Sequence, residues 1–425
     1  MSFETISIIG LGYIGLPTAA MFASRKKKVI GVDVNEKTVE TVNRGEIHIV
    51  EPELEILVQT AVSQGYLKAT LSPEPADAFL IAVPTPFLSC DKGEIPEPDL
   101  KYIEAAARAI APVLKKGDLV ILESTSPVGA TEKMAQWLAE ARTELSFPQN
   151  YGEDSDVRIA HCPERVLPGH VVRELVENDR VIGGLTDKCS QAAVGLYKIF
   201  VEGDCVITNA RTAEMAKLTE NSCRDVQIAF ANELSVICDE LGIDVWELIS
   251  LANRHPRINI LQPGPGVGGH CIAVDPWFIV SKTPELAQLI HTARKVNDAK
   301  PEWVINKMKI ALSDFLQANP DKTAKDVKIA CYGLAFKPDI DDLRESPAIN
   351  VVKHIKAFHS GKVIIVEPNI TEIPVGLEGV ELMVLGEALK QSDLHLVLVD
   401  HKEFFQVLPR SGMIIDTKGI WSYKN

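Results

Sequence analysis

A cysteine and an aspartate follow a cluster of glycines in residues 264–277, GPGVGGHCIAVDPW. Glycine lets the backbone approach a ligand closely or adopt a positive φ. Cys271 is therefore a candidate nucleophile, although a lone cysteine is more often a small core residue. A thiolate can add to an aldehyde, and the thiohemiacetal that results can lose a hydride to become a thioester. Asp275 could orient a lysine, hold a water molecule or act as the base in hydrolysis.

A second group of polar residues lies in a long stretch without glycine or proline. Lys217, Asn221, Arg224 and Asp225 are spaced i, i+4, i+7 and i+8, so a helix would place them on one face. A buried lysine can take or give a proton, and an asparagine amide can stabilise an oxyanion. A solvated stripe on an exposed helix face is the open alternative.

The N-terminal residues 10–15, GLGYIG, match the G-x-G-x-x-G pattern of dinucleotide-binding turns through Gly10, Gly12 and Gly15. The pattern follows a predicted strand and opens a predicted helix, so a pyrophosphate could sit at the helix N-terminus. The next strand ends in Asp33, whose carboxylate can accept hydrogen bonds from a ribose diol and would repel a 2′-phosphate. NAD is therefore favoured over NADP, and a purely structural turn is the alternative.

Short apolar runs that read as buried strands recur at residues 78–83, 119–123, 157–161 and 180–182, with helical stretches between some of them. This alternation predicts a parallel sheet with helices on both faces. Thr85 and Thr125 follow two of these strands, at the sheet edge where such folds bind ligands.

A stretch of about thirty residues beginning near residue 210 predicts one long helix that ends at Gly242. Strand candidates return at residues 363–366, 394–399 and 413–416. We therefore predict an α/β protein in which two Rossmann-like, doubly wound domains are joined by a long central helix and a helical domain. The predicted boundaries are 1–209, 210–315 and 316–425.

Composition excludes several classes of partner. The net charge of −14 argues against nucleic acid and anionic membrane surfaces. No apolar run reaches the ~20 residues of a membrane helix, and no basic segment precedes an apolar one as in a signal peptide. Eight cysteines without a CxxC pair indicate reduced thiols in a cytoplasmic protein. We expect no metal cofactor.

Seven segments occur in the order found in UDP-glucose/GDP-mannose dehydrogenases, which this chain resembles over nearly its whole length. They are GLGYIGLP, VPTP, ESTSPVGAT, CPERVLPG, AEMAKLTENSCRDVQIAFANEL, GPGVGGHCIAVDP and GLAFKPDIDDLRESP. The resemblance implies an NAD-dependent, four-electron oxidation of a UDP-sugar that is bound by the C-terminal domain. In related enzymes the arginine that matches Arg257 reaches a neighbouring subunit's site, which implies a homo-oligomer, at least a dimer.

The resemblance also implies roles for individual residues. Catalytic roles fall on Cys271, Lys217, Asn221, Asp275, Thr125 and Glu164. NAD contacts fall on the glycine turn and on Tyr13, Ile14, Asp33, Thr85 and Thr131. Nucleotide-sugar contacts fall on Lys217, Asn221, Arg165, Val166, Arg224, His255, Arg257, Gly268, Phe336, Lys337, Arg344 and Lys418. Cys271 matches the family's nucleophile and Lys217 its acid/base lysine, while Thr125 and Glu164 match positions linked to a catalytic water and thioester hydrolysis.

Two departures bear on the substrate. UDP-glucose dehydrogenases usually carry a lysine where this chain has Val274, and an apolar residue there is seen in the N-acetylhexosamine branch. We therefore expect UDP-N-acetylmannosamine, with UDP-N-acetylglucosamine or another nucleotide sugar as open alternatives. The residues after Glu164 also depart from the usual Phe-Leu, which leaves the contacts of Arg165 and Val166 open.

Two other functions are compatible with parts of the sequence. One is a two-electron 3-hydroxyacid dehydrogenase, which shares a Rossmann domain, a helical domain and an active-site lysine but has no use for Cys271. The other is a module that binds NAD or a nucleotide sugar without turnover.

Overall fold

The computed structural model describes residues 3–49, 51–89, 91, 93–167, 169–269 and 271–421. The chain divides into two compact units, residues 1–220 with 277–283 and residues 221–276 with 284–425. Both units contain a largely parallel sheet with helices, so the predicted α/β class is confirmed. The predicted boundaries of three domains stay a prediction.

The first unit is built on an eight-stranded sheet. Its strands are β1 (Thr5–Ile9), β2 (Lys28–Val32), β3 (Leu67–Thr70), β4 (Ala78–Ile81), β5 (Leu119–Leu122), β6 (Arg158–His161), β7 (Arg180–Gly184) and β8 (Cys205–Asn209). Their order is β3-β2-β1-β4-β5-β6-β7-β8. Every neighbouring pair is parallel except β6 and β7. The carboxyl ends of β1, β2, β4, β5 and β6 therefore meet at one edge.

Helices cover both faces of this sheet. They are α1 (Gly15–Ser24), α2 (Glu36–Asn43), α3 (Leu54–Ser63), α4 (Lys101–Ile110), α5 (Ala130–Ala141), α6 (Pro148–Tyr151), α7 (Val171–Glu177) and α8 (Asp187–Tyr197). Successive strand residues point to opposite faces. Thus Ile8 packs in the cluster that contains Leu16 of α1, whereas Ile9 packs in the cluster that contains Ile103 of α4 and Met134 of α5. Strands buried on both faces explain the uninterrupted apolar runs of β4 and β5.

Four helices follow the first sheet. They are α9 (Ala210–Leu241), α10 (Val245–Ala252), α11 (Asp275–Lys282) and α12 (Gln288–Ala318). The prediction of one long helix is confirmed, since α9 runs for 32 residues and ends directly before Gly242. The first part of α9 belongs to the first unit and the remainder, from Asn221, to the second. No helix in the described ranges is both long and apolar enough to cross a membrane.

The second unit contains a five-stranded, fully parallel sheet. Its strands are β9 (Lys328–Tyr332), β10 (Lys362–Val366), β11 (Glu381–Leu382), β12 (Leu394–Val397) and β13 (Met413–Asp416), and its further helices are α13 (Pro347–Phe358) and α14 (Leu385–Gln391). The strand order is β11-β10-β9-β12-β13. Alternate residues of β9 again divide between two apolar clusters, one of which includes residues of α12 and α13.

Candidate active site

The glycine turn between β1 and α1 has the shape needed to receive a phosphate. Gly10 has φ +95°, and a Cβ on it would lie 2.6 Å from the carbonyl oxygen of Ala82. A Cβ on Gly15 would lie 1.8 Å from the carbonyl oxygen of Gly10, so only glycine fits there. A Cβ on Gly12 would meet no atom of the described residues within 4 Å, so a ligand has room to approach the backbone. Among the described residues no side chain caps α1. The N–H of Leu16 donates to the carbonyl of Gly12 at 3.1 Å and Pro17 has no N–H, so an anion at this helix N-terminus would meet the N–H groups that precede Leu16.

Asp33 follows β2 and lies beside this turn. Its Oδ2 accepts a hydrogen bond from the N–H of Leu11 at 2.9 Å, and its Oδ1 accepts one from the N–H of Asn35 at 2.9 Å. A carboxylate offers about four lone-pair positions, and Asp33 is only half-buried. It is therefore held in place and still able to accept hydrogen bonds from ribose hydroxyls. Gly12, the open helix N-terminus and Asp33 fit NAD.

The remaining residues expected to bind NAD have different surroundings. Tyr13 is exposed and Ile14 half-buried, both between Gly12 and the start of α1. Thr85 follows β4, and its buried Oγ1 has no hydrogen-bond partner within the described part of the chain, which suits a polar ligand atom. The N–H and hydroxyl of Thr131, by contrast, donate to Oε1 of Glu214 at 2.8 and 2.7 Å. Thr131 is fully buried at the start of α5.

Two carboxylates and one guanidinium lie buried past the carboxyl ends of β5 and β6. Nη1 of Arg180 donates to Oε2 of Glu164 at 2.5 Å, and the N–H of Arg165 donates to Oε1 of Glu164 at 2.6 Å. The hydroxyl of Tyr197 donates to Glu123 at 2.9 Å. Burial, and next the charge of Glu164, raise the pKa of Glu123 to about 7. Thr125, two residues after Glu123, is half-buried.

Sequence reasoning assigned no role to Glu123, which it placed only at the end of a strand, or to Arg180 and Tyr197. Arg180 begins a strand, a position where a charged residue is usually solvated, and nothing in its sequence context indicates that its partner is Glu164. An acidic residue directly after a fully apolar strand, as at Glu123, was the available signal.

The loop after Glu164 is attached to helix α9. Arg165 makes a two-pronged ion pair with Glu220, with Nη2–Oε1 at 2.6 Å and Nε–Oε2 at 3.2 Å. Val166 packs against the core of the first unit. Lys217, three residues before Glu220 on the same helix, is half-buried. The loop with Arg165 is therefore fixed to the segment of α9 that carries Lys217.

In the second unit, Asn221, Asp275 and Cys271 are brought together. Nδ2 of Asn221 donates to Oδ2 of Asp275 at 2.5 Å. The N–H of Asp275 donates to the carbonyl of Cys271 at 2.8 Å, so the cysteine ends the loop one turn before α11. Asp275 is 3% exposed, whereas Cys271 is exposed. The thiol is thus presented outward on a backbone that is tied to α9.

The glycines of this loop allow it to pack tightly against residues 336–347. Gly266 and Gly269 have φ of +145° and +84°. A Cβ on Gly268 would lie 2.7 Å from the carbonyl oxygen of Glu345 and 2.9 Å from Cβ of Phe336. The structure therefore places Gly268 and Phe336 in contact. His270 lies outside the described residues.

The segment 336–347 that packs against this loop carries two basic side chains, Lys337 and Arg344. Burial lowers the pKa of Lys337, the charge of Cys271 opposes that effect, and the positive charge of Arg224 lowers the pKa further. Arg344 is exposed and pairs with both oxygens of Asp342 at 2.9 and 2.6 Å. These cations suit a diphosphate, which the net charge of the protein would otherwise repel.

Three further residues expected to contact the nucleotide sugar are placed as follows. Nζ of Lys418 pairs with Asp400 at 3.1 Å and lies 3.6 Å from a Cβ built on Gly264. His255 and Arg257 are exposed after α10, and the N–H of Arg257 donates to Nδ1 of His255 at 3.4 Å.

Asp225 differs from the other members of the polar stripe. It is fully buried, and Arg294 donates to its Oδ1 at 2.5 Å while Asn297 donates to the same oxygen at 2.8 Å. The alternative of a solvated stripe is therefore wrong for Asp225.

Three domain models of one family match the chain in order. The NAD binding domain of the UDP-glucose/GDP-mannose dehydrogenase family matches residues 4–201, its central domain residues 211–299 and its UDP binding domain residues 330–423. The matches confirm the resemblance seen in the sequence, the prediction of NAD as cofactor and the prediction of a UDP-sugar as ligand.

Individual proteins are similar over the whole chain. The UDP-N-acetyl-D-mannosamine dehydrogenase of Yersinia pestis is 68% identical over 425 residues, which cover 99% of this chain and 100% of that protein. The NDP-N-acetyl-D-galactosaminuronic acid dehydrogenase of Ralstonia nicotianae is 62% identical over 427 residues, covering 100% and 98%. The solved UDP-D-ManNAc dehydrogenase of Pyrococcus horikoshii superposes with a TM-score of 0.84 at 39% identity, covering 98% of this chain and 96% of its own.

Proposed function

We propose that this chain, which belongs to the UDP-glucose/GDP-mannose dehydrogenase family, oxidises UDP-N-acetyl-D-mannosamine at C6. The chain is an NAD-dependent nucleotide-sugar dehydrogenase, and the product of the proposed reaction is UDP-N-acetyl-D-mannosaminuronate. The 68% identity to a dehydrogenase of that name supports this sugar, as does the apolar Val274 in the cysteine loop. The relative from Ralstonia nicotianae makes a galactosamine derivative the main competitor.

The hydrogen-bonded arrangement of Asn221, Asp275 and Cys271 carries the proposed mechanism. NAD, when bound, supplies the hydride acceptor for each of the two oxidations. After the first oxidation, the sulfur of Cys271 bonds to C6 of the aldehyde and gives a thiohemiacetal. Loss of a second hydride from C6 leaves a thioester, and water then cleaves the carbon–sulfur bond to release the carboxylate and regenerate the thiol.

The other residues act on protons, charge and water. Lys217, or Thr125 through a water molecule, removes the hydroxyl proton in the first oxidation. Asn221 has two amide N–H groups; one binds Asp275, and the second stabilises the oxyanion that forms at C6. Asp275 is the base in hydrolysis. Glu164, already paired with a guanidinium and a backbone N–H, orients the water instead of taking its proton.

The nucleotide sugar is held by residues of helix α9, of the cysteine loop, and of the segments that follow β6, α10, β9 and β13. They are Lys217, Asn221, Arg165, Val166, Arg224, His255, Arg257, Gly268, Phe336, Lys337, Arg344 and Lys418. The guanidinium and ammonium groups among them bind the diphosphate by charge-assisted hydrogen bonds. The NAD contacts are Gly10, Gly12, Tyr13, Ile14, Gly15, Asp33, Thr85 and Thr131.

The proposed roles of Arg257 and Cys271 also bear on the oligomeric state and the cellular location of the enzyme. Arg257 lies on an exposed turn, from which it reaches the site of a second subunit, so the enzyme is a homo-oligomer and at least a dimer. The domains are 1–209 for NAD, 210–315 for dimerisation and catalysis, and 316–425 for the UDP-sugar. A nucleophilic thiol has to stay reduced, which supports a cytoplasmic location.

A panel of nucleotide sugars tests the substrate. UDP-linked N-acetylmannosamine, N-acetylglucosamine, N-acetylgalactosamine and glucose are each incubated with NAD, and NADH release and product mass are measured. We expect the highest kcat/KM and a uronate product with UDP-N-acetylmannosamine. A higher kcat/KM with another sugar would overturn the assignment of the sugar, and NADH release without a uronate product would overturn the proposed oxidation level.

A further inference from the structure

The same backbone turn occurs in both sheets. In the first unit Gly10 has φ +95° and its N–H donates to the carbonyl of Val32 at 2.8 Å. In the second unit Gly333 has φ +90° and its N–H donates to the carbonyl of Val366 at 2.8 Å. In each unit the N–H of the following residue donates to an acid at the end of the neighbouring strand: Leu11 donates to Asp33 after β2, and Leu334 donates to Glu367 after β10. Glu367 thus occupies the position after β10 that Asp33 occupies after β2.

The two acids have different surroundings. Oε2 of Glu367 accepts hydrogen bonds from the N–H groups of Leu334 at 2.7 Å and Ala335 at 3.1 Å, and from His401 at 3.0 Å. Its Oε1 accepts two more from Asn369, at 3.1 and 3.2 Å. Glu367 is 4% exposed. The five bonds from protein groups therefore occupy all the lone pairs of its carboxylate. An acid in this state has no lone pair to offer to a ribose.

His401 is the second buried group of this arrangement. Its Nδ1 lies 2.9 Å from the backbone N of Asp339. A backbone N–H can only donate, so Nδ1 is the acceptor and the ring proton lies on Nε2, which donates to Glu367. Asp339 has φ +60°, rare for a residue other than glycine, and its Oδ1 accepts from the N–H of Lys402 at 3.1 Å. The pair therefore fixes the backbone at Asp339.

Both ends of the loop 334–339 are thus attached to one buried pair. Leu334 and Ala335 are bound to Glu367 at the start of the loop, and Asp339 is bound to His401 at its end. Between the two ends lie Phe336 and Lys337, neither of which is bonded to the pair. Phe336 also lies within 3.1 Å of a Cβ built on Gly269 in the cysteine loop.

We propose that Glu367 and His401 are positioning residues that hold Phe336 and Lys337 in the geometry that binds the nucleotide sugar, without touching the ligand themselves. The proposal rests on the proposed function only in taking Phe336 and Lys337 as ligand contacts. The acid of the second sheet thus occupies the position of a ribose-binding acid and instead fixes a loop.

Substitutions at His401 test the proposal, with UDP as the probe because its binding requires no oxidation. His401→Leu removes the hydrogen bonds of His401 with Asp339, Asn369 and Glu367, whereas His401→Gln keeps one donor and one acceptor. The matched control is His395→Leu: His395 is equally buried in β12, and its bonds to the hydroxyl of Tyr332 at 2.8 Å and the carbonyl of Ser411 at 3.1 Å involve no residue of the loop 334–339. The Kd of UDP, the KM values of nucleotide sugar and NAD, and Tm are measured for each.

We expect His401→Leu to weaken UDP binding and raise the KM of the sugar by about tenfold or more, with the KM of NAD within about twofold of wild type. His401→Gln should restore most of the affinity. His395→Leu should lower Tm comparably and leave the Kd of UDP unchanged. Equal losses of UDP affinity in the two leucine variants, or none in His401→Leu, would overturn the proposal.

A second variant tests the same proposal in case His401→Leu does not fold. Glu367→Gln keeps the size of the side chain but removes its negative charge, which weakens the bonds that it accepts from the N–H groups of Leu334 and Ala335 and from His401, and we expect weaker UDP binding with an unchanged KM for NAD. Wild-type UDP affinity in Glu367→Gln would contradict the positioning role. If the protein binds UDP but oxidises none of the nucleotide sugars, the proposed function fails. The comparison of UDP affinities would still test the positioning role.

Discussion

Asn221 and Asp275, 54 positions apart in the sequence, share a hydrogen bond of 2.5 Å between Nδ2 and Oδ2. The N–H of Asp275 continues this connection to the carbonyl of Cys271 at 2.8 Å. The position of the thiol is therefore set by helix α9, and not by the glycine loop alone. This relationship links the polar face of α9 to the nucleophile of the proposed reaction.

Removal of the amide should affect both stability and rate. In Asn221→Ala the buried carboxylate of Asp275 loses a donor, which costs about 1–3 kcal/mol in the free energy of unfolding. Loss of an oxyanion donor should lower kcat on the order of 100-fold. Denaturant unfolding and steady-state kinetics measure the two effects.

The exchanged double variant Asn221→Asp with Asp275→Asn is the control. It keeps one hydrogen-bond donor and one acceptor at this contact. The free energy of unfolding should therefore be higher than in Asn221→Asp or Asp275→Asn alone, while kcat stays low. Wild-type kcat in Asn221→Ala, or full recovery of kcat in the exchanged variant, would contradict the catalytic roles.

Asp33 should set the preference for NAD. Asp33→Ala removes the acceptor for the ribose diol and the charge that repels a 2′-phosphate, so the ratio of kcat/KM for NAD to that for NADP should fall by about tenfold or more. Asp33→Asn keeps an oxygen that can accept from the N–H of Leu11 but removes the negative charge. It therefore shows whether the charge or the hydrogen bonds set the preference. An unchanged ratio in both variants would show that another residue selects the cofactor.

Glu123 should make stability depend on pH. Its pKa is raised from 4.5 to about 7 in the folded protein, so the folded state keeps a proton that the unfolded chain releases. This stabilisation is complete below pH 4.5 and is lost as the pH rises through about 7. The contribution to the free energy of unfolding changes by at most about 1.4 kcal/mol per pH unit in that window.

Glu123→Gln cannot ionise at this position and should gain stability relative to wild type as the pH rises from 5 to 8, because a neutral amide avoids a second buried negative charge. Denaturant unfolding at several pH values measures the difference. The exposed Glu387→Gln is the control and should follow the wild-type profile. A constant difference between Glu123→Gln and wild type across this range would rule out titration of Glu123.

The sequence predicted those features that depend on local pattern. Strand–turn–helix spacing indicated both sheets, and the absence of glycine and proline indicated α9. Contacts between distant segments were not predictable, because periodicity shows which face of an element is buried and not what lies against it. The ion pairs of Arg180 with Glu164 and of Arg294 with Asp225 are of this kind, as is the pair of Glu367 and His401.

Some of the predicted strands ran slightly too long. Residues 78–83 were predicted as a strand, which in the structure ends at Ile81. Beyond that point the chain turns toward Thr85, and apolar character alone does not distinguish the last strand residue from the first residue of a loop that binds a ligand.

The number of NADH molecules formed per molecule of limiting UDP-N-acetylmannosamine tests the role of Cys271 most directly. We expect two with the wild-type enzyme and with Cys223→Ala, a control at another exposed cysteine, and no uronate with Cys271→Ala. One NADH per sugar in the wild type, or continued uronate formation by Cys271→Ala, would contradict the two-stage oxidation through the thiol.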